Sequence, residues 1–198
     1  MTEFRTYTTS EVAAFFRVRE RFGPLSNMAS GFPIRVCGVD APSSEALYQA
    51  LRFPHLPEFQ REILDQTSPI LAKRHTYTRV RETRADWEGV RVNAMRYVLR
   101  AKVGSTQGAL LDLLRGTGSA PIVEVSHRDD FWGARPEGGT LVGRNVLGRL
   151  LMELRRDIQD HQNGSPLTLI PRFPVPVVCG RTLQEEQICP DPLLAPLI

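Results

Sequence analysis

The helix-start signal in residues 41–53, APSSEALYQALRF, anchors the assignment of the fold. Ser43 or Ser44 can cap the N-terminus of a helix, and Pro42 stands just outside it. Glu45 then falls in the first turn, where the helix dipole favours an ionised carboxylate. The segment therefore predicts a helix that begins near residue 44.

Glu45 shares one side of this predicted helix with Gln49 and Arg52, which follow one and two turns later. Such spacing is typical of a glutamate that pairs with the helix dipole, and also of a polar cluster around a catalytic acid. Spacing alone leaves both interpretations open.

Further helical patterns follow along the chain. Ser68 can cap a helix that has Pro69 at its first position. A longer pattern spans residues 86–103, and a broad apolar stripe predicts a last helix over residues 143–158. The apolar positions of these two helices are Trp87, Val90, Ala94, Val98, Ala101, Val146, Leu147, Leu150, Leu151 and Leu154.

Strands are predicted at GFPIRVCGV, residues 31–39, and at APIVEVS, residues 120–126. Residues 163–198 contain seven prolines and no helical periodicity, which indicates an extended C-terminal extension. Together the patterns predict a single, compact, mostly helical α+β domain followed by this extension.

The composition limits the class of protein. The chain has 198 residues, of which 41% are hydrophobic and 24% charged, and no apolar run is long enough for a membrane span. The N-terminus lacks a secretory pattern, and Cys37, Cys179 and Cys189 match neither a disulfide framework nor a zinc site. We expect a cytoplasmic protein without a metal, a cofactor or a membrane partner.

Basic residues concentrate in KRHTYTRVRETR, residues 73–84, which contains five lysines or arginines and one histidine. Such a run can attract the phosphates of a nucleotide or a nucleic acid. It can equally be a solvated surface, since the net charge of the whole chain is only +3.

The run RDDFWGARPEGGTLVGRN, residues 128–145, combines acids, an indole and glycines in a predicted loop. Trp132 could stack on a base or a sugar, and the glycines could let backbone approach a ligand. Gly143 and Asn145 stand at the predicted start of the last helix, where free N–H groups would form an anion site. The alternative is structural: Trp132 anchors a core and Asp129 caps a turn.

Lys73 and Glu124 are two further candidates. Lys73 is predicted near the first turn of a helix, where its charge is unfavourable, and this suggests another use. Glu124 interrupts an apolar strand, so it is expected to be buried or to face a cleft. For both residues, a simple salt bridge is the alternative.

Six segments, in this order, carry a resemblance to a known family: RFGPLSNMASGFPI, SSEALYQALRFPHLPE, SPILAK, DWEGVRVNAMRYVLRAK, LLRGTGSAPIVEVSHRDDFWGA and GRNVLGRLLMELR. They resemble the NADAR family, also called YbiA-like, over residues 15–158. The resemblance implies a NADAR domain over residues 1–160, an extension over 161–198, and hydrolysis of an N-glycosidic bond. Three sites depart from the family pattern: Thr76-Tyr77 stand where many members have Gly-Arg, Val103 where many have Phe, and Ser119 where Asp is familiar.

Two substrate classes are associated with the family, and the motif sequences of this chain are more similar to those of the members that act on the first class. That class is ADP-ribose attached to guanine in DNA, removed by antitoxins that oppose a DNA ADP-ribosyltransferase toxin. The second is the phosphoribosylamino intermediates of riboflavin biosynthesis. A module that binds ADP-ribose without hydrolysing it is a third hypothesis.

The resemblance also implies site residues. Glu45, Lys73 and Asp129 would be catalytic, acting at the anomeric carbon and the leaving amine. The expected substrate contacts are Asn27, Tyr48, Glu124, Trp132, Gly133 and Asn145, with Trp132 stacking on the sugar or base and the two asparagines holding hydroxyls or phosphate. The expected partners are ADP-ribosylated DNA or an ADP-ribose-type nucleotide, and a cognate ADP-ribosyltransferase toxin.

Overall fold

A computed structural model describes residues 3–106, 108–162 and 168–187 of the chain. Helices account for 43% of the residues and strands for 18%, which confirms the prediction of a mostly helical α+β fold. Contacts between Cα atoms divide the chain into two compact units, Met1–Ser26 with Ala109–Ser165, and Asn27–Gly108 with Pro166–Ile198.

The first unit combines short strands with two helices. Strand β7 pairs with β1 on one side and β6 on the other, both antiparallel, while β2 and β5 form a parallel pair. Tyr7, Val123, Ala134 and Leu141 form a buried cluster between these strands. The elements of this unit are β1 (Arg5–Thr8), β2 (Ala13–Phe15), α5 (Ala109–Arg115), β5 (Ile122–Glu124), β6 (Arg135–Glu137), β7 (Thr140–Gly143) and α6 (Val146–Gln162).

The glycines of the run 128–145 have structural explanations. Gly138 and Gly139 lie between the paired residues Glu137 and Thr140 with φ angles of 53° and 88°, so they form the two-residue turn of the β6–β7 hairpin. A Cβ at Gly143 would stand 2.5 Å from the Gly133 carbonyl oxygen. These glycines permit a turn and a close backbone contact within the unit.

Helix α6 begins at Val146, three residues later than the sequence predicts. Its predicted apolar stripe, Val146, Leu147, Leu150, Leu151 and Leu154, is buried throughout. The helix packs on β5, and a Cβ at Gly148 would stand 2.1 Å from the Ile122 carbonyl oxygen. The absence of a side chain at residue 148 is therefore required for this packing.

The second unit is built around helix α1, all seven of whose residues are buried. This helix contacts α2, α3 and α4. The elements of the unit are β3 (Ile34–Val36), β4 (Val39–Ala41), α1 (Ser44–Ala50), α2 (Pro57–Leu64), α3 (Pro69–His75), α4 (Trp87–Gly104), β8 (Thr168–Leu169), β9 (Val177–Val178), β10 (Arg181–Thr182) and β11 (Glu186–Gln187). A 3-10 helix over residues 76–82 follows α3 directly.

The helix starts of this unit confirm the capping predictions. The Ser43 hydroxyl accepts a hydrogen bond from the Ala46 N–H, and the Ser68 hydroxyl accepts one from the Leu71 N–H. The placement of Lys73 in a first turn was wrong, however. Since α3 has only seven residues, Lys73 lies in its last turn, where the dipole favours a cation.

The described part of the C-terminal extension, residues 168–187, contributes four short strands to the second unit. The Gln60 side chain donates to the Val177 carbonyl at 2.9 Å and accepts from the Cys179 N–H at 2.7 Å. Cys189 lies outside the described residues. The predicted domain boundary near residue 160 stays a prediction.

Among the described helices, none has the length and apolar character that crossing a membrane requires.

Candidate active site

Glu45 lies buried at the start of α1, with only 5% of its surface exposed. Its carboxylate accepts a hydrogen bond from the Gln49 side-chain amide at 2.7 Å and another from the Asn27 amide. Asn27 is itself held next to α1, because its carbonyl accepts a hydrogen bond from the Ser44 hydroxyl at 3.0 Å. Two amide donors therefore fix both carboxylate oxygens of one buried acid.

Burial raises the pKa of Glu45 above its ordinary value. The hydrogen bonds from Gln49 and Asn27 and the positive charges of Lys73 and Arg52 act in the opposite direction without cancelling this effect. A carboxyl group in such an environment can exchange protons nearer to neutral pH than a solvated glutamate can.

The polar network continues from Gln49 to Arg52. An Arg52 Nη1–H donates to the Gln49 side-chain oxygen Oε1 at 2.9 Å, and Nη2–H donates to the Thr83 hydroxyl at 3.0 Å. The guanidinium lies over the Trp87 ring at 5.6 Å, and Trp87 contacts the Tyr48 ring at 5.1 Å. The predicted alignment of residues 45, 49 and 52 on one side of the helix is confirmed as a hydrogen-bonded chain.

Lys73 reaches the same region from the last turn of α3. Its side chain is exposed, and its charge lowers the pKa of Glu45 against the dominant effect of burial. The Thr76 hydroxyl donates to the Lys73 carbonyl at 2.7 Å, and it lies 3.4 Å from the Gln49 side-chain oxygen. The second unit thus brings Asn27, Glu45, Gln49, Arg52 and Lys73 together.

Asp129 lies in the first unit, in the loop that follows β5. One carboxylate oxygen, Oδ1, accepts hydrogen bonds from the backbone N–H groups of Phe131 and Trp132, both at 2.9 Å. The Asp129 N–H donates to the Ser126 hydroxyl at 3.0 Å. This geometry is the turn cap that the sequence allowed as an alternative, and it holds the loop in one conformation.

The predicted anion site at the start of α6 was wrong. The N–H groups of residues 144 to 147 donate to the carbonyl groups of the loop 130–133 over 2.7–3.0 Å. Arg144 bonds to Asp130, Asn145 to Gly133, Val146 to Phe131 and Leu147 to Trp132. Because the protein already satisfies these donors, they are not available to a phosphate.

The other candidates of the first unit surround this loop. The Asn145 side chain accepts from the Glu124 N–H at 3.2 Å and donates to the Ile122 carbonyl at 2.8 Å, so it links α6 to β5. Asn145 is fully buried, whereas Glu124 and Trp132 are partly exposed. A Cβ at Gly133 would stand 2.5 Å from the Glu124 carbonyl oxygen, which explains the glycine there.

The basic run 73–84 contains arginines that form ion pairs within the protein and cations that are exposed to solvent. Arg79 forms a two-bond ion pair with Glu82, and Arg84 is buried against Asp86 and the Pro174 carbonyl. Lys73, Arg74 and Arg81 are exposed. The sequence could not separate these two groups, because the burial of Arg84 depends on residue 174, which is distant in the chain.

Lys102 is a buried cation that the sequence analysis missed. It is 1% exposed, its ammonium lies 4.9 Å from the centre of the Phe32 ring, and burial lowers its pKa to about 7. The sequence signal was available, since Lys102 stands in the last turn of α4 between the buried residues Ala101 and Val103.

The comparisons with known proteins agree with this fold. The sequence model described as "NADAR domain" matches residues 14–159. N-glycosidase YbiA of Escherichia coli (strain K12) is 38% identical over 144 residues, which cover 73% of this chain and 86% of that protein. The NMR structure of the E. coli protein YbiA superimposes with a TM-score of 0.68 at 34% identity, covering 78% of this chain and 88% of the other.

A second kind of relative is longer. Riboflavin biosynthesis protein PYRR, chloroplastic, of Zea mays is 33% identical over 170 residues, which cover 79% of this chain but only 26% of that protein. The chain belongs to the NADAR family. It is an enzyme of the N-glycosidase class of hydrolases.

Proposed function

We propose that this N-glycosidase removes ADP-ribose from ADP-ribosylated guanine in DNA, as the antitoxin to a DNA ADP-ribosyltransferase toxin. The observation that carries the proposal is the buried Glu45 carboxyl, held by the Asn27 and Gln49 amides beside the cation Lys73. Breaking a bond between a ribose carbon and an exocyclic amine requires an acid–base group and a charge partner of this kind.

In the proposed reaction, water supplies a hydroxyl group to the anomeric carbon and a proton to the departing amine. Glu45 stabilises positive charge on the sugar or takes the proton of the attacking water. Lys73 protonates the leaving nitrogen; alternatively, its neutral amine displaces the guanine amine from the ring-opened sugar, and water then hydrolyses the resulting lysine imine to release the sugar. Asp129 is proposed as a second acid–base group, with Trp132 stacking on the sugar or base.

Asn27 supports this assignment through an unpaired atom. Its side-chain oxygen is buried and has no hydrogen-bond partner among the described residues, while its nitrogen donates to Glu45. A buried acceptor without a donor is unfavourable unless a ligand completes it. Because the same Asn27 amide donates to Glu45, a sugar hydroxyl that donates to the Asn27 oxygen would lie close to the proposed catalytic carboxyl.

A polymeric substrate is supported by the surface charge next to this network. Lys73, Arg74 and Arg81 are exposed cations in or directly after the helix that packs on α1. Cations so placed can bind backbone phosphates. The second candidate substrate, a phosphoribosylamino intermediate of riboflavin biosynthesis, is favoured by the name of the maize relative.

Incubation with a guanine-ADP-ribosylated oligonucleotide tests the proposal. We expect release of free ADP-ribose and of the unmodified oligonucleotide. Faster cleavage of a free phosphoribosylamino-pyrimidine than of the oligonucleotide would favour the riboflavin candidate. Tight binding of ADP-ribose without any product over hours would instead favour a non-hydrolytic binding module.

A further inference from the structure

Exposed apolar side chains concentrate on α3 and the 3-10 helix after it. Ile70, Leu71, Tyr77 and Val80 are all exposed, and Tyr77 is the most exposed of them at 59%. Large apolar groups in contiguous exposed positions are unfavourable in water and commonly mark a binding surface. Tyr77 therefore presents an aromatic ring to solvent in this segment.

This surface also carries cations. Arg74 follows Ile70 by four residues within α3, which places these two side chains on one face, and Tyr77 is exposed two residues after the end of α3. The 3-10 helix is kinked at Arg79, and Val80 and Arg81 are exposed after this kink. We call the five residues Ile70, Arg74, Tyr77, Val80 and Arg81 the α3 strip.

The acidic residues next to the α3 strip are engaged by other basic residues. Glu82 binds Arg79 through two bonds of 2.6 Å, and Glu62 lies 2.9 Å from the His75 ring. The strip therefore presents two arginines, an aromatic ring and aliphatic groups. Arginines match backbone phosphates, and an aromatic ring matches an unstacked base, so the combination is complementary to a single strand of nucleic acid.

The α3 strip is continuous with the Glu45 network. Helix α3 packs on α1, and the Thr76 hydroxyl, one residue before Tyr77, lies 3.4 Å from the Gln49 side-chain oxygen. A strand bound to the strip would thus pass beside the catalytic acid.

We infer that the α3 strip binds the single strand of DNA that flanks the modified guanine, with Tyr77 stacking on a neighbouring base. This inference rests on the proposed function and deepens it, because it makes Tyr77 the residue that selects a polymeric substrate over a small one. Loss of the stacking of one base on this ring should raise KM about tenfold, which corresponds to about 1.4 kcal/mol.

The test compares two substrates, an ADP-ribosylated single-stranded oligonucleotide and the ADP-ribosylated guanine nucleoside. For Tyr77→Ala we expect KM to rise about tenfold on the oligonucleotide and to stay unchanged on the nucleoside. Tyr77→Phe retains the ring and should behave like the wild type. Phe4→Ala removes another exposed aromatic ring, which lies in the first unit, and should leave both values unchanged.

Equal changes of KM on both substrates, or no change on the oligonucleotide, would overturn the inference. A wild-type protein that cleaves neither substrate would overturn the proposed function instead. In that case the α3 strip is tested separately, by measuring binding of an unmodified single-stranded DNA oligonucleotide with fluorescence anisotropy. Salt-dependent binding that Tyr77→Ala and Arg74→Gln both weaken supports the strip. Absence of binding, or stronger binding of single-stranded RNA, contradicts it.

Discussion

Glu45 and Asp129 are both partly or fully enclosed carboxylates, yet their partners differ in kind. The oxygens of Glu45 accept from the side chains of Asn27 and Gln49, and the network continues to Arg52. Oδ1 of Asp129 accepts from two backbone N–H groups of its own loop. A carboxylate bound by side chains, like Glu45, can change its protonation while the backbone stays in place. A carboxylate bound by backbone N–H groups, like Asp129, also determines the shape of its loop.

The largest effect is expected at Glu45. Glu45→Gln should lower kcat by about 1,000-fold, because it removes the proposed acid–base group while retaining its size. Release of ADP-ribose measures the loss. The matched control is Glu58→Gln, which changes an exposed glutamate that pairs with Arg61 and should retain full activity. Full activity of Glu45→Gln would remove Glu45 from the mechanism.

The same variant makes a separate prediction about folding. The pKa of Glu45 is raised in the folded state, so the stability that this group contributes is present at low pH and is lost as pH rises through its folded pKa. Glu45→Gln should therefore become more stable relative to the wild type as pH rises. The Asn27 amide can rotate to accept from the new amide, since its oxygen has no hydrogen-bond partner in the part of the chain that the structure describes. Urea unfolding at two pH values measures this difference.

Asp129 can be divided into its chemical and structural roles by two substitutions. Asp129→Asn retains an oxygen that can accept from residues 131 and 132, so we expect an intact fold with about 100-fold less turnover. Asp129→Ala removes the acceptor and should also lower the free energy of unfolding by about 1–2 kcal/mol. Full turnover by Asp129→Asn would leave Asp129 as a turn cap only.

The junction of α6 with β5 should be sensitive to a single methyl group. In Gly148→Ala the new Cβ would approach the Ile122 carbonyl oxygen to 2.1 Å, so the free energy of unfolding should fall by about 3 kcal/mol. Gly89→Ala is the control, because a Cβ at that helical residue would meet no described atom within 4 Å apart from its chain neighbours and the backbone of its own helix. It should be neutral or stabilise the protein by up to about 1 kcal/mol. If denaturant unfolding shows the same change in the free energy of unfolding for both variants, the close contact between residue 148 and the Ile122 carbonyl is contradicted.

The smallest expected effect concerns Lys102 and depends on pH. Its pKa is lowered from 10.5 to about 7 in the folded state, so the unfolded chain binds more protons between these values. The stability of the wild type should consequently rise with pH across this range. Lys102→Met should remove most of that dependence and stabilise the protein near pH 7 by about 2 kcal/mol. An unchanged pH dependence would mean that Lys102 is solvated in the folded protein.

Local sequence was sufficient for helix caps and apolar helix faces, which depend on neighbours in the chain. Ser43, Ser68 and Pro69 predicted the starts of α1 and α3 because capping involves groups only three residues apart. The apolar stripes of α4 and α6 predicted their buried faces, because a helix repeats every 3.6 residues. The NADAR motifs likewise identified the family and its class of reaction.

The tertiary structure decided which polar groups are already satisfied. Local sequence could not show that carbonyls of the loop 130–133 occupy the N–H groups at the start of α6, or that Asn145 is bound to β5. Nor could it separate the buried Arg84 from the exposed Arg74. The physical reason is that a hydrogen bond or burial depends on atoms distant in the chain, whereas caps and periodicity depend only on residues within a few turns.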